Sequence, residues 1–434
     1  MCRHDPTRHG AKITQFRAIT AAFAALAAGL GGAPAAVAGP VGLFYGDGVA
    51  PLAPSARSLW VRRPEEPIYA GPSTESAKRG AAAKDATLPV FGAQRGPGCD
   101  GRWFSIGPQA FVCEDGVEAS DRAPLALDAA PEAAIDGLPH QYFFVSRDGS
   151  FGYRGLESAE EGVPDAQFQP GFGIAVMRVQ NKPGGDPFGL TTRGFWVPLR
   201  DLAPARPSPF EGAPWSEAIG WIVRDAAPLF SAPGRRRPGA TLERLTTVSV
   251  LESRSVAGQR YARVAESDWV REDDLRRPSL SSPPPEARPG ERWLDVDLTR
   301  QTVVAYAGAT PLFAMLASTG RGPVKSETRT PPGTYRLWIK LRTSDMDNLE
   351  NVEAAENYAI EAVPWVMFFH KGYGLHGTFW HRRFGEVRSH GCVNLTPRDA
   401  ERVFHWTSPR LYPGWSAAFP TPYEPGTLVR VRSE

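Results

Sequence analysis

Between Gly374 and Leu395 the chain reads GLHGTFWHRRFGEVRSHGCVNL, which places three imidazoles (His376, His381, His390) and one thiol (Cys392) in a segment punctuated by glycine. These side chains allow three kinds of chemistry. As zinc ligands they would have to close a tetrahedron of N and S donors, or leave one position open. The spacings H-x4-H and H-x-C match no common structural zinc pattern, and no HExxH-type helix is present. As core filler they are poorly placed, because LHG and SHGC set polar residues beside glycines in loops, where a backbone approaches a ligand closely. The third chemistry is an activated thiol. A cysteine is mostly protonated near neutral pH, and a nearby imidazole moves it toward the reactive thiolate. His376 and Cys392 lie 16 residues apart. A strand ending at His376, a loop through His381 and Arg383 and a return at Ser389 would bring both to one spot. The carbonyl of Gly377 is a candidate to orient the imidazole. Backbone N–H groups of Gly391 and Cys392 are candidates to hold a developing oxyanion, with Gly391 leaving the approach open.

The elements around this segment read as mostly β. In WLDVDL, Leu294, Val296 and Leu298 alternate with Asp295 and Asp297, the pattern of a half-buried strand. TVVAYAG (302–308) follows as the second arm of a hairpin. PLFAMLASTG, GTYRLWIKL (333–341), YAIEAVPWVMFF (358–369) and TLVRVR (427–432) supply further strands. One helix is signalled after Thr396, which can cap it. Pro397 suits its first turn, Asp399 suits its dipole, and Ala400, Val403 and Phe404 would face inward. The polar, acidic segment 344–357 reads either as a lid or as an ordinary excursion.

Upstream, three segments share one pattern. They open with SLWVRRPEEPIYAGPS, YFFVSRDGSFGYRG and GWIVRDAAPLFSAPG, and each carries an aromatic after a polar turn (Tyr69, Tyr153, Phe230). Each closes on a strand end, an acidic turn and an apolar residue (Val117, Leu202, Leu275). A recurrence every 70–80 residues or so points to one small β-barrel used three times. The signature resembles the bacterial SH3-like domains of cell-wall proteins, and such modules would either bind the wall or only space and pack against the rest. RRPSLSSPPPEARPGER, rich in Pro and Ser, reads as a semi-rigid linker.

Composition narrows the class. The 434 residues leave room for three or four domains, and 44 glycines with 42 prolines favour turns and short strands. A formal net charge of +2 gives no reason to expect nucleic acid as a partner. Arg3, Arg8, Lys12 and Arg17 precede an Ala/Gly-rich apolar run, with Ala36 and Ala38 placed for cleavage before Gly39, so residues 1–38 read as a secretory signal peptide. No later stretch is long and apolar enough for a stable transmembrane anchor. The expected location is outside the cytoplasm, in the periplasm or cell envelope. There Cys99 and Cys113 are candidates for a disulfide, and Cys392 is the odd thiol left over.

The segment HG followed by SHGCVNL, with TPPGTYRL, STG and the aromatic run VPWVMFFHKGYGLHGTFWHRRFG, resembles the L,D-transpeptidase catalytic domain of the YkuD family. The resemblance implies a mainly β fold: a β-rich catalytic domain with a short helix over 291–434, preceded by about three small SH3-like β-barrel modules (55–125, 138–206, 216–278) and a Pro-rich linker (279–290). It implies Cys392 as nucleophile, His376 as base and the Gly377 carbonyl as its orienting group. Ser389, His390 and Gly391 would shape the pocket, and Asn394, where many members carry Arg, would support the loop or the substrate. Trp380 and His381 would line the groove or simply pack there, and Arg388 would meet a stem-peptide carboxylate or be only solvated. The implied partners are peptidoglycan stem peptides and carbapenem-type inhibitors, with no metal and no organic cofactor. The implied reaction releases D-alanine through a thioester and forms 3-3 cross-links. An L,D-carboxypeptidase, a protein-anchoring enzyme and a catalytically silent wall-binding scaffold are the alternatives.

Overall fold

The computed structural model describes residues 43–125, 136–181, 185–323, 326–349 and 358–433. The expected signal peptide lies outside them, as does most of the expected lid, residues 350–357. The chain divides into two compact units. One holds the described residues up to Lys78 and from Ala83 to Leu125. The other holds Arg79–Ala82 and the described residues from Asp136 onward.

In the first unit Ser58–Val61 pairs antiparallel with Val117–Ser120, so the start and end of the segment close on each other. Trp103 is fully buried at its centre, with Tyr69 edge-on at 5.5 Å. Cys99 and Cys113 form a disulfide.

The second unit repeats that closure twice. Gln141–Val145 pairs with Leu202–Pro204, and Ile219–Ile222 with Leu275–Arg276. In all three segments a three-residue 3-10 turn precedes the closing strand: Glu114–Gly116, Leu199–Asp201 and Glu272–Asp274. The recurring acidic turn in the sequence is this turn, and the apolar residue after it (Val117, Leu202 or Leu275) is buried in each case.

The C-terminal part builds two sheets from β1 (Arg292–Asp297), β2 (Thr302–Ala307), β3 (Thr310–Leu316), β4 (Gly333–Arg336), β5 (Ile339–Asp347), β6 (Ala359–His370), β7 (Tyr373–Gly377), β8 (Val393–Leu395), α1 (Pro397–Trp406), β9 (Trp415–Ala418) and β10 (Leu428–Arg432). One sheet runs β3-β2-β1-β10-β4 and the other β9-β5-β6-β7-β8. Leu294, Val296 and Val303 of the first meet Trp365, Met367 and Leu375 of the second in one core, which Val403 and Phe404 of α1 complete. The Thr396 hydroxyl caps α1 by accepting from Asp399 N–H, with Pro397 in the first turn, as its sequence implies. Among the described residues α1 is the one helix longer than six residues, so the protein is mainly β.

The structure departs from these expectations at several points. β1 is not half-buried, since Asp295 and Asp297 are each about as inaccessible as Leu294 and Val296. β10 lies parallel to β1 and sets Arg430 and Arg432 on Asp295. A buried carboxylate is tolerable only when paired in this way. In the stretch 279–290, read as a semi-rigid linker, Ser279, Ser281 and Ser282 accept hydrogen bonds from Arg430 and Arg432 and cover that edge. GTYRLWIKL is not one strand. β4 belongs to the first sheet and β5 to the second, and the chain changes sheets at Leu337–Trp338, where Leu337 N–H bonds Thr427 and Trp338 N–H bonds Phe368. Gly426 packs so tightly on this corner that a Cβ there would lie 1.7 Å from the Leu337 oxygen. Ser344–Asp347, at the start of the segment read as a lid or an ordinary excursion, continue β5.

The second segment is grafted onto β6. Gly173 pairs with Ile360, and the backbone N–H of Ala175 and the hydroxyl of Thr192 donate to Glu361. Arg193 reaches Asp345 and Asp347 and stands 4.0 Å from Glu361. Burial pushes the Glu361 carboxyl up to about 7. An acid with a folded pKa above its unfolded value contributes stability that is complete below the lower value and lost as pH rises through the upper. The wild-type chain is therefore expected to lose stability relative to Glu361→Gln between about pH 4.5 and 7.5. Melting temperatures across that range check it: the wild-type curve should fall relative to the variant's, and parallel curves would remove Glu361 as the titrating group.

Candidate active site

The site is built on the last two strands of the second sheet. β7 carries His376 and Gly377, and β8 follows directly on Cys392. They pair in parallel, Leu375 with Val393, His376 with Asn394 and Gly377 with Leu395. Cys392 therefore stands just before the ladder, beside the strand that carries His376. Cys392 lies two residues before Asn394, the register partner of His376. Gly377 permits close packing here, because a Cβ would sit 2.9 Å from Pro364 of β6.

His376 is 1% exposed. Its Nδ1 lies 3.2 Å from the Gly377 carbonyl, with the Thr378 hydroxyl at 3.4 Å. A carbonyl only accepts, so this contact fixes the proton on Nδ1 and leaves the lone pair on Nε2. Nε2 is buried and has no hydrogen-bond partner among the described residues. A buried polar atom without a partner calls for an explanation, and a catalytic role is one. The Cys392 side chain is fully buried, outside any disulfide, with Sγ 3.8 Å from the Gly372 carbonyl.

The SHGC loop is held by its own residues and by two flanking motifs. Ser389 Oγ donates to the Cys392 carbonyl and accepts from Gly391 N–H at 3.1 Å. The Gly391 N–H is thus occupied, which corrects its expected part in an oxyanion site. Gly391 has φ +127°, and a Cβ there would lie 2.6 Å from the Tyr373 ring, so no other residue fits without strain. Its carbonyl accepts from the Thr330 hydroxyl at 2.7 Å, and Thr330 in turn accepts from Gly320 N–H. Thr330 opens TPPGT and Gly320 closes STG, so both motifs serve as backing for this loop. Thr319 of STG accepts from the backbone N–H groups of Arg388 and Ser389.

The remaining residues fall into clear places. Asn394 sits on β8 with its amide 3.0 Å from His381 Nε2, while His381 Nδ1 accepts from Arg383 N–H at 3.2 Å. Both His381 nitrogens are engaged, and burial pushes its pKa down to about 4. Trp380 stacks on His376, ring centres 5.7 Å apart. His390 stacks on Tyr358, and its Nε2 receives Arg321 at 2.9 Å. The Arg388 side chain is exposed. The structure does not gather His376, His381, His390 and Cys392 as a metal cluster: their ligand atoms do not converge within 4.8 Å of one another. Sequence reasoning missed Arg321, Thr378 and the task of Thr330. Only the last had a signal, its place in TPPGT.

Residues 291–431 match the family YkuD, described as the L,D-transpeptidase catalytic domain. No curated protein matches the sequence. Among solved structures, the L,D-transpeptidase of Stackebrandtia nassauensis is 25% identical over 34% of this chain and 57% of its own, with a TM-score of 0.23. A Cys-to-Ser mutant of the Enterococcus faecium L,D-transpeptidase is 21% identical over 33% of this chain and 50% of its own, with a TM-score of 0.25. An L,D-transpeptidase in complex with imipenem is 17% identical over 52% of this chain and 99% of its own, with a TM-score of 0.27. This chain thus spans about half the length of the first two. The segment that holds His376 and Cys392 falls within the span that matches the L,D-transpeptidase catalytic domain of the YkuD family.

Proposed function

We propose that this protein is an exported, cysteine-dependent L,D-transpeptidase acting on peptidoglycan stem tetrapeptides. The observation that carries the reading is the buried, unpartnered Nε2 of His376, on a strand paired in parallel with the one that follows Cys392. The match of residues 291–431 to the family domain supports it.

The residues act in sequence. His376 Nε2 takes the Cys392 proton, and the thiolate attacks the carbonyl of the third stem residue. The tetrahedral intermediate collapses as His376 returns the proton to the departing D-alanine amine, leaving a thioester on Cys392. The side-chain amine of a third residue on another stem then attacks the thioester. Its proton passes through His376 back to sulfur, which frees Cys392 and completes a 3-3 amide. The Gly377 carbonyl holds the tautomer this requires. Ser389 and Gly391 shape the loop, Asn394 and His381 brace it, and His390 and Arg388 border the groove. No metal or organic cofactor enters. A carbapenem would acylate the same thiolate. The three upstream segments serve as SH3-like modules, a reading supported by their shared closure through a 3-10 turn.

Two tests follow. Incubation with disaccharide-tetrapeptide should give cross-linked dimers and free D-alanine by mass, and Cys392→Ala should lower the rate by at least about 10³-fold with the melting temperature unchanged. Tripeptide without dimer would make water the acceptor, and retained turnover would remove Cys392 as nucleophile. His376→Gln should slow alkylation of Cys392 by iodoacetamide at neutral pH by about tenfold or more, since the thiolate loses its base. An unchanged alkylation profile would exclude His376.

A further inference from the structure

Tyr142 lies in the second upstream segment, far from the site in sequence, yet it is buried against the C-terminal sheet. Its ring meets Phe379 at 4.3 Å between centres. Phe379 meets Trp380 edge-on at 5.1 Å, and Trp380 stacks on His376 at 5.7 Å with an interplanar angle of 28°. Phe144 backs Phe379 from 5.8 Å. Four rings thus run without a break from the upstream segment to the imidazole. Tilted and edge-on pairs at such spacings are the favoured arrangements of aromatic rings.

A second set of contacts anchors the same segment on β6. The Tyr142 hydroxyl donates to the Ala362 carbonyl at 2.5 Å, and Trp365 Nε1 donates to the Gly137 carbonyl at 2.6 Å. Ala362 and Trp365 both have positive φ, +47° and +59°. Left-handed backbone at such residues carries a cost and persists only where its surroundings hold it. Pro364 between them is the residue on which Gly377 rests. The segment therefore braces His376 twice, through stacked rings and through the β6 distortion beneath Gly377.

We infer that Tyr142 is a positioning residue for the site, holding the His376 ring toward Cys392 through Phe379 and Trp380. The inference rests on the Cys392–His376 reading above. It makes the second upstream segment part of the active site's framework. Ring position governs how well the imidazole activates the thiol, so the effect belongs in kcat and in thiol reactivity, with KM unmoved.

The test compares Tyr142→Leu, Tyr142→Phe and Phe379→Leu in the full chain. Tyr142→Leu should slow Cys392 alkylation by iodoacetamide at neutral pH by about tenfold and displace its pH profile upward. It should lower kcat on disaccharide-tetrapeptide by a similar factor with KM unchanged. Tyr142→Phe keeps the ring and should displace the alkylation profile less than Tyr142→Leu does. Phe379→Leu breaks the chain one ring nearer His376 and carries the test if Tyr142→Leu does not fold. A folded Tyr142→Leu or Phe379→Leu with the wild-type alkylation profile would overturn the inference, as would a Tyr142→Phe profile displaced as far as that of Tyr142→Leu. Alkylation needs no substrate, so wild-type protein that alkylates readily but transfers nothing would sink the transpeptidase reading and leave the positioning result standing.

Discussion

The parallel pairing of β7 with β8 is the constraint from which the rest of the site follows. A hairpin turn cannot join parallel strands, so the chain must travel out and back between them. Such a crossover is usually a helix, which satisfies its own backbone. Here residues 378–392 make the journey without a helix. The loop must therefore find its hydrogen bonds in other parts of the protein. Ser318 Oγ bonds the Arg383 carbonyl, and Gly385 N–H bonds Ala317. Arg276 Nε bonds the Gly385 carbonyl, Arg244 reaches Glu386, and Arg383 pairs with Asp225. Phe384 is buried in a core shared with Trp221 and Val223. Arg244, Arg276, Asp225, Trp221 and Val223 all belong to the third upstream segment.

Two upstream segments thus reach the site from different sides. The second braces the strand that carries His376, and the third grips the loop that returns to Cys392. Both are thereby tied to the C-terminal strands. A small β-rich segment buries little apolar surface by itself. Joining it to a neighbour's sheet or loop adds core to both partners. The aromatic residues that open the segments serve that purpose: Tyr142 enters the core of the second sheet, and Trp221 packs with Trp293 and Tyr306 of the first.

The local framework of the candidate site was legible because its determinants are local. The 16-residue spacing of His376 and Cys392, the glycines beside them and the cap at Thr396 all act within a few turns of chain. The strands of the C-terminal part were legible through their β-branched and aromatic runs. What was hidden depends on distant residues. WLDVDL alternates like a half-exposed strand, and only Arg430 and Arg432, more than 130 residues on, make Asp295 a buried one. GTYRLWIKL gives no local sign of changing sheets, because the break is imposed by Thr427 and Phe368. Tyr142 reads as an ordinary strand residue until Ala362, 220 positions away, receives its hydroxyl.

The state of His381 shows how the brace and the chemistry fit together. Its Nδ1 accepts from Arg383 N–H and its Nε2 lies 3.0 Å from the Asn394 amide, so both ring nitrogens are engaged. Burial, with Arg388 and His376 nearby, keeps the ring uncharged far below neutral pH. If His376 takes the proton of Cys392, an imidazolium forms within range of that second ring. A charged His381 would repel it and oppose the transfer, whereas a neutral one does not. The Arg383 N–H on Nδ1 opposes a second proton there and, with burial, holds His381 in the neutral form that leaves an imidazolium at His376 unopposed. The Asn394 contact fixes the returning loop against β8.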